Sequence, residues 1–299
     1  MRTPVAYMGM LSRKQLFLKQ RGWLTLVAGL LAAAALFPAP ARPSRPATVI
    51  ARRGYWARYP EGSWLGFQQA RDAGARLSAD AVLTGDNVWA LLHDTTLERL
   101  YCRPWSVDAV TYDQIKDLAY CGPLADRYPQ RGIPRVRDFL QEFGPAVAEV
   151  ELKNTPALPP ERRAAALDEV ANLITPLRST LMVTSFHPAD LRELKQRDEN
   201  LRTGLVVYYA REISRVRAGD WESIDAVSVR AQSVSARLLS RLRARGKTIW
   251  VYDTGTPWSR RRVRQLAHLA PDGYVVSDPV AFRKDLAFVQ RPPVRWWGR

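Results

Sequence analysis

The sequence predicts a parallel α/β barrel of the TIM (β/α)8 type, on three observations. Short runs rich in Val, Ile and Leu alternate with longer amphipathic stretches from Ala47 onward, the pattern of a parallel sheet wrapped by helices. No Gly-rich dinucleotide loop follows the first run, which disfavours an open doubly wound sheet. Charged residues gather at the carboxyl ends of the runs, the rim where such barrels carry their chemistry.

In chain order, residues 1–41 stand apart from the barrel. Arg13, Lys14, Lys19 and Arg21 precede the apolar run Trp23 to Phe37, and A-P-A follows at Ala39 to Ala41. A basic region, a hydrophobic region of secretory length and a small-residue exit read as a signal peptide, or as a membrane anchor through residues 22–37. The chain is therefore expected to be exported, periplasmic or extracellular. Residues 42–46 form a linker, 47–288 the barrel, and 289–299 a basic tail whose Trp296 and Trp297 suit a lipid headgroup interface.

The strand candidates are 47–51, 76–83, 88–93, 146–152, 180–186, 203–209, 225–229, 248–253 and 273–278. T-G-D-N joins the second and third as a tight turn, so those two strands are expected to pair directly. Helices are expected from Ser63 to Gly74 and from Ser235 to Gly246. Each opens on a serine that can cap the free N–H groups and closes on a glycine.

The 299 residues carry a formal charge of +16, almost all of it from arginine. That excess reflects either arginine-rich codon usage or attraction to an anionic membrane surface or other polyanion. Nucleic acid is not expected as a partner: no zinc knuckle, RRM signature or basic heptad pattern is present. The two cysteines, Cys102 and Cys121, are too few for a zinc site. In an oxidising compartment they can bridge, the alternative being two unpaired thiols.

At the strand ends lie Arg52 and Arg53, Asp80, His93, Glu151 and Lys153, Ser185 and Asp253. The surrounding motifs are I-A-R-R-G (50–54), P-E-G-S (60–63), S-A-D-A-V-L-T-G-D (78–86), L-L-H-D (91–94), I-P-R-V-R-D-F-L (133–140), V-E-L-K (150–153), V-T-S-F (183–186) and D-G-Y-V-V-S-D-P (272–279). As an ordered set they resemble the glycerophosphodiester phosphodiesterase family, of the phospholipase C-like barrel superfamily, over about Ala47 to Pro279.

The resemblance implies hydrolysis of glycerophosphodiesters to an alcohol and glycerol 3-phosphate with a divalent cation, calcium or magnesium. On the matching positions it makes His93 an acid–base group, and Arg53 and Lys153 phosphate ligands. Asp80 and Glu151 become metal ligands, with Glu61 in support. Two positions depart from the pattern. Arg52 stands where the family has its first catalytic histidine, and Ser78 where it has the first carboxylate of E-L-D.

Arginine stays protonated at any working pH and cannot exchange protons, and a serine hydroxyl is a weaker cation ligand than a carboxylate. Three readings stay open. In the first, His93 works alone on a glycerophosphodiester or lysophospholipid-like substrate. In the second, the site is a metal-independent anion receptor, with Arg52, Arg53 and Lys153 on the phosphate and Asp80 and Glu151 orienting the arginines. Such a catalytically impaired chain binds phosphate-bearing ligands or membrane. The alternative to that receptor is Arg52 locked onto Asp80 or Glu151, closing the barrel mouth; the third reading is a sphingomyelinase D-like lipase on the same barrel. Tyr252 is expected to wall the pocket or fill the core, and Trp105 to sit in a substrate-facing loop.

Overall fold

The structure, a computed structural model, describes residues 46–129, 132–255 and 258–290. The expected leader at 1–41 and Trp296 and Trp297 of the tail lie outside the described residues. Among those described, no helix is long and apolar enough to cross a membrane.

Nine strands form one sheet among the described residues: β1 (Thr48–Arg52), β2 (Arg76–Leu83), β3 (Trp89–Leu91), β4 (Val147–Leu152), β5 (Met182–Ser185), β6 (Arg202–Val207), β7 (Ala226–Arg230), β8 (Thr248–Tyr252) and β9 (Gly273–Val276). All but β3 run parallel, and β1 pairs with both β9 and β2, so the sheet closes on itself as the eight-stranded barrel. The remaining strand, β3, is antiparallel to β2 across the T-G-D-N turn. It is shorter than the expected 88–93, and His93 follows it in the loop. Similarly, β6 stops at Val207, so Tyr208 and Tyr209 stand outside the sheet.

Local chemistry accounts for the helix ends. Ser63 accepts from Gly66 N–H to start the helix Trp64–Asp72, and Gly74 beyond its end has φ 73°. Ser235 caps Ala236–Arg243 through Leu238 N–H in the same way. Side chains inside the barrel make a compact cluster of Ile50, Ala148, Met182, Val206, Ala226, Trp250, Tyr252 and Val275. This is a filled interior rather than a pore, which leaves only the rim open for chemistry. Between β3 and β4 the chain builds a cap with its own core, including Leu97, Leu100, Tyr101, Ile115, Tyr120 and Ile133. Cys102 and Cys121 are disulfide-bonded within it, and Tyr101 stacks on Tyr120. Trp105 is exposed on this cap, with the Arg103 guanidinium over its ring.

One irregularity positions the site. Leu77 of β2 stands opposite Val147 of β4, but Ser78 stands opposite Glu149, so the register slips by one residue between them. Ala148, skipped by the pairing, joins the interior cluster. Beyond the slip the order is regular, with Asp80 opposite Glu151. Ser78, Asp80, Glu149 and Glu151 consequently all face one cavity.

Candidate active site

The cavity at the carboxyl rim holds about 120 Å3. Its polar wall is Arg52, Ser78, Asp80, His93, Glu149, Glu151 and Lys153, with Phe186, Tyr208 and Tyr252 as aromatic wall. Ser78, Asp80 and Glu149 project from within β2 and β4, while Arg52, His93, Glu151 and Lys153 come from strand ends or the loops just beyond them.

The adjacent Arg52 and Arg53 take different roles because the backbone turns between them. Arg53 has φ 54°, in the left-handed region, and Gly54 follows at φ 79°. A Cβ at Gly54 would lie 2.8 Å from the backbone of Gly66, so glycine is required there both for its dihedral and for the close helix. The turn carries Arg53 behind the cavity wall, where it is buried. Its Nη1 donates to Glu61 at 3.0 Å and its Nε lies 2.8 Å from Asp80 Oδ2. These two charge contacts offset a left-handed conformation that an ordinary side chain rarely adopts. Arg53 therefore does not line this cavity but a small one beside it, with Glu61, Asp80 and His93.

Arg52 is the arginine that faces the cavity. Among the described residues it makes no ion pair within 4.0 Å. Its guanidinium sits 5.6 Å from the Trp56 ring centroid and 5.8 Å from that of Tyr252, held by cation–π contacts. The expected lock of Arg52 onto Asp80 or Glu151 is thus not formed. Nor does Glu151 orient an arginine: its carboxylate pairs with Lys153, and only Asp80 engages one, Arg53. Tyr252 fills both expected roles, packing in the interior cluster and walling the cavity, with its hydroxyl donating to Val207 O at 3.1 Å.

From His93 a chain of polar contacts runs around the rim. His93 Nδ1 bonds Asp94 at 2.6 Å, and Asp94 accepts from Arg99 Nε at 2.6 Å. Arg99 also donates to both oxygens of Glu61, the partner of Arg53. Beyond Arg53, Asp80 receives Lys153 Nζ at 3.0 Å, and Lys153 continues to Glu151. Fixing Nδ1 on Asp94 leaves Nε2 as the nitrogen free for proton exchange.

Burial sets the direction of the titrations. It lowers the His93 imidazole below its ordinary 6.5, outweighing the opposing pull of Asp80 and Asp94. For Asp80 burial alone would raise the carboxyl, yet Lys153 and Arg53 hold it well below the usual carboxylate range. Lys153 stays a cation, because Asp80 and Glu151 outweigh its desolvation. Glu151, desolvated and beside two other acids, is pushed up to about 7.

Glu149 is the site residue that the sequence motifs missed. It is 3% exposed, accepts from the Thr184 hydroxyl at 2.8 Å and lies within reach of the Ser78 hydroxyl. Its burial raises its pKa as well. The available signal was the i, i+2 spacing of Glu149 and Glu151, which on a strand places both on one face. By contrast Asp253, read as a rim charge, is used structurally: it accepts from Ser277 N–H and hydroxyl and ties β8 to β9.

For the implied divalent cation, the donor set is Asp80, Glu149 and Glu151, all hard oxygen donors on two adjoining strands. Asp80 Oδ2, although 2.8 Å from Arg53 Nε, accepts no hydrogen bond among the described residues. As the side chains stand, Lys153 bridges Asp80 and Glu151, and no three acidic, histidine or cysteine side chains among the described residues converge on one point. The chemistry fits a hard cation. Closing a cage asks that the lysine stem carry its ammonium off Asp80 and Glu151 and that the three carboxylates turn toward one point.

A closed parallel barrel that concentrates cations, carboxylates and a braced histidine at one rim is suited to binding phosphate esters. More narrowly, the model of the glycerophosphoryl diester phosphodiesterase family matches residues 53–281, and the chain belongs to that family. A glycerophosphodiester phosphodiesterase from Caldanaerobacter subterraneus is 26% identical over 164 residues, 53% of this chain and 65% of that protein. Glycerophosphodiester phosphodiesterase 1 from Bos taurus is 28% identical over 173 residues, 55% of this chain and 50% of that protein. The matches thus span half to about two-thirds of these curated relatives. A phosphodiesterase from Oleispira antarctica, solved with the product sn-glycerol-3-phosphate, superposes with TM-score 0.65 at 17% identity over 80% of this chain and 96% of that one. At that identity the likeness carries the fold.

Proposed function

We propose that this chain hydrolyses glycerophosphodiesters to an alcohol and glycerol 3-phosphate in the rim cavity. The observation that carries the reading is the His93–Asp94 pair at 2.6 Å, opening on the same cavity as Arg52, which has no acidic partner among the described residues, and the carboxylate-held Lys153. Arg52 and Lys153 attract and orient the phosphodiester anion, a task a permanently charged guanidinium performs at every working pH. The neutral His93 imidazole accepts a proton from the attacking water as its oxygen bonds to phosphorus. The imidazolium, steadied by Asp94, then returns that proton to the departing alkoxide as the phosphorus–oxygen bond breaks. One histidine thereby serves as base and then acid, which Arg52 cannot do. Asp80 and Glu151 are the residues that would hold a calcium or magnesium ion, which when bound withdraws charge from the phosphoryl oxygens.

An apolar groove beside the cavity supports a lysophospholipid-like substrate within the same reading. It holds about 340 Å3, is lined by Phe186, Pro188, Leu205, Val206, Val207 and Val216 together with the charged Glu212 and Arg215, and shares Phe186 and Val206 with the cavity wall. Export is proposed with it, supported by the Cys102–Cys121 bridge, and the charge of +16 supports an anionic membrane surface as the place of action.

The test is release of glycerol 3-phosphate by the full-length chain. Substrates are glycerophosphocholine and glycerophosphoethanolamine, with lysophosphatidylcholine followed by choline release, each with calcium, magnesium or chelator. Turnover that His93→Ala abolishes is expected. Silence on every substrate under every condition would remove the hydrolase reading.

A further inference from the structure

We propose that Glu149 is a ligand of the divalent cation in this chain, supplying from β4 the carboxylate that the family resemblance places on β2 at the position of Ser78. The proposal rests on the cation implied by the hydrolase reading and concerns which residues hold it.

Three observations lead there independently. The first is position. The slip between Leu77 and Ser78 sets Glu149 directly opposite Ser78, one strand away and facing the same cavity as Asp80 and Glu151. Had the pairing continued without the slip, Ala148 would stand opposite Ser78 and no carboxylate would replace the missing one. The loss on one strand and the gain on its neighbour therefore meet at one point in space.

The second observation is that Glu149 has no structural counter-charge. Among the described residues it makes no ion pair, although its side chain is almost wholly buried. A buried carboxylate without a cation is costly, and a glutamine would satisfy Thr184 at less expense in desolvation. The two basic groups nearby are committed elsewhere: Lys153 to Asp80 and Glu151, and Arg53 to Asp80 and Glu61. Keeping an acid here is understandable if an external cation neutralises it.

The third is that the serine has an evident use in the exchanged arrangement. Its short side chain leaves room for the incoming glutamate, and its hydroxyl supports the Glu149 charge from the β2 side while Thr184 does so from β5. Ligating carboxylates held by such outer hydrogen bonds keep the orientation that a cation needs. Three carboxylates are then available again, with a cation and an anionic substrate both able to draw Lys153 away from Asp80 and Glu151.

Calcium binding to the full-length chain, measured by isothermal titration calorimetry without substrate, tests this directly. One calcium per chain is expected for the native protein. Glu149→Gln, which keeps the Thr184 hydrogen bond and nearly the same shape, should weaken binding about tenfold or more, since affinity at such sites follows ligand charge. The double variant Ser78→Glu/Glu149→Gln, which returns the carboxylate to β2, should recover most of it. Circular dichroism establishes that each variant is folded, and the calcium-induced rise in melting temperature gives a second readout. Binding by Glu149→Gln within twofold of native, or a folded native chain that takes no calcium, would overturn the proposal. Because no turnover is measured, calcium binding that depends on Glu149 in a chain without activity would sink the hydrolase reading alone.

Discussion

Ser78 and Glu149 lie opposite one another on β2 and β4, a hydroxyl beside a buried carboxylate, because the two strands change register one residue earlier. The small serine is what lets the acid stay. Ser78→Glu alone would set a second carboxylate against Glu149, a like pair that resists joint ionisation. Urea unfolding at pH 7.5 in chelator should show a loss on the order of 3 kcal/mol. Adding Glu149→Gln to that variant should restore most of the stability. An unchanged midpoint for Ser78→Glu would mean that the two side chains do not meet.

Arg52 is held by rings rather than by acids, so its charge is available to a ligand. Arg52→Ala should weaken binding of glycerol 3-phosphate by about tenfold to a hundredfold, the range for a lost hydrogen bond to a charged group. Calorimetric titration in chelator measures this without any contribution from a metal. Equal affinity in the variant would show that Lys153 alone receives the phosphate.

His93 should govern the lower acid limb of activity. Its proton is released below the ordinary 6.5 because burial disfavours the imidazolium, so the neutral base persists at neutral pH. His93→Ala should reduce kcat/KM by about two to four orders of magnitude. In the native chain protonation of Glu151, pushed up to about 7, begins the decline of kcat/KM, and the His93 limb lies below 6.5. Stability should follow the same sign. The unfolded chain binds this proton more tightly than the folded one, so stability drops as pH falls below 6.5 toward the folded value, and His93→Gln should flatten that slope. Activity with no further fall below 6.5 would remove His93 from the acid limb.

The cap between β3 and β4 closes a loop between Cys102 and Cys121, which are 19 residues apart in sequence. Replacing both with serine should lower stability by about 3 kcal/mol, the loop-closure entropy for a ring of this size. The cap carries Arg99, which braces both Asp94 and Glu61, so the same variant should also raise KM for the diester. A melting temperature equal to that of the native chain would show that the cap core suffices without the bridge.

Much of this architecture is legible along the chain. Strand runs, serine caps and closing glycines follow from local preferences, and β2 appears with its predicted ends, Arg76 and Leu83. Rim residues are legible for a similar reason, since in a parallel barrel the end of each strand points toward one common mouth. Where local reading went astray, a contact distant in sequence decided the outcome. I-A-R-R-G cannot say which arginine faces the cavity. That choice depends on Gly54 packing against Gly66 and on Glu61 and Asp80 both reaching Arg53. For Glu151 likewise, the nearest cation in space is Lys153 rather than an arginine.

By itself, then, the sequence determined the barrel and the family, and its motifs marked Arg52 and Ser78 as expected departures, because these follow from residue types at local spacings. Only the tertiary structure decided how the departures are answered. Strand register is a property of two chain segments together, and a slip of one residue changes which side chains share a face. On that slip Glu149 came to stand against Ser78, and the turn at Gly54 left Arg52 facing the cavity with no acidic partner among the described residues.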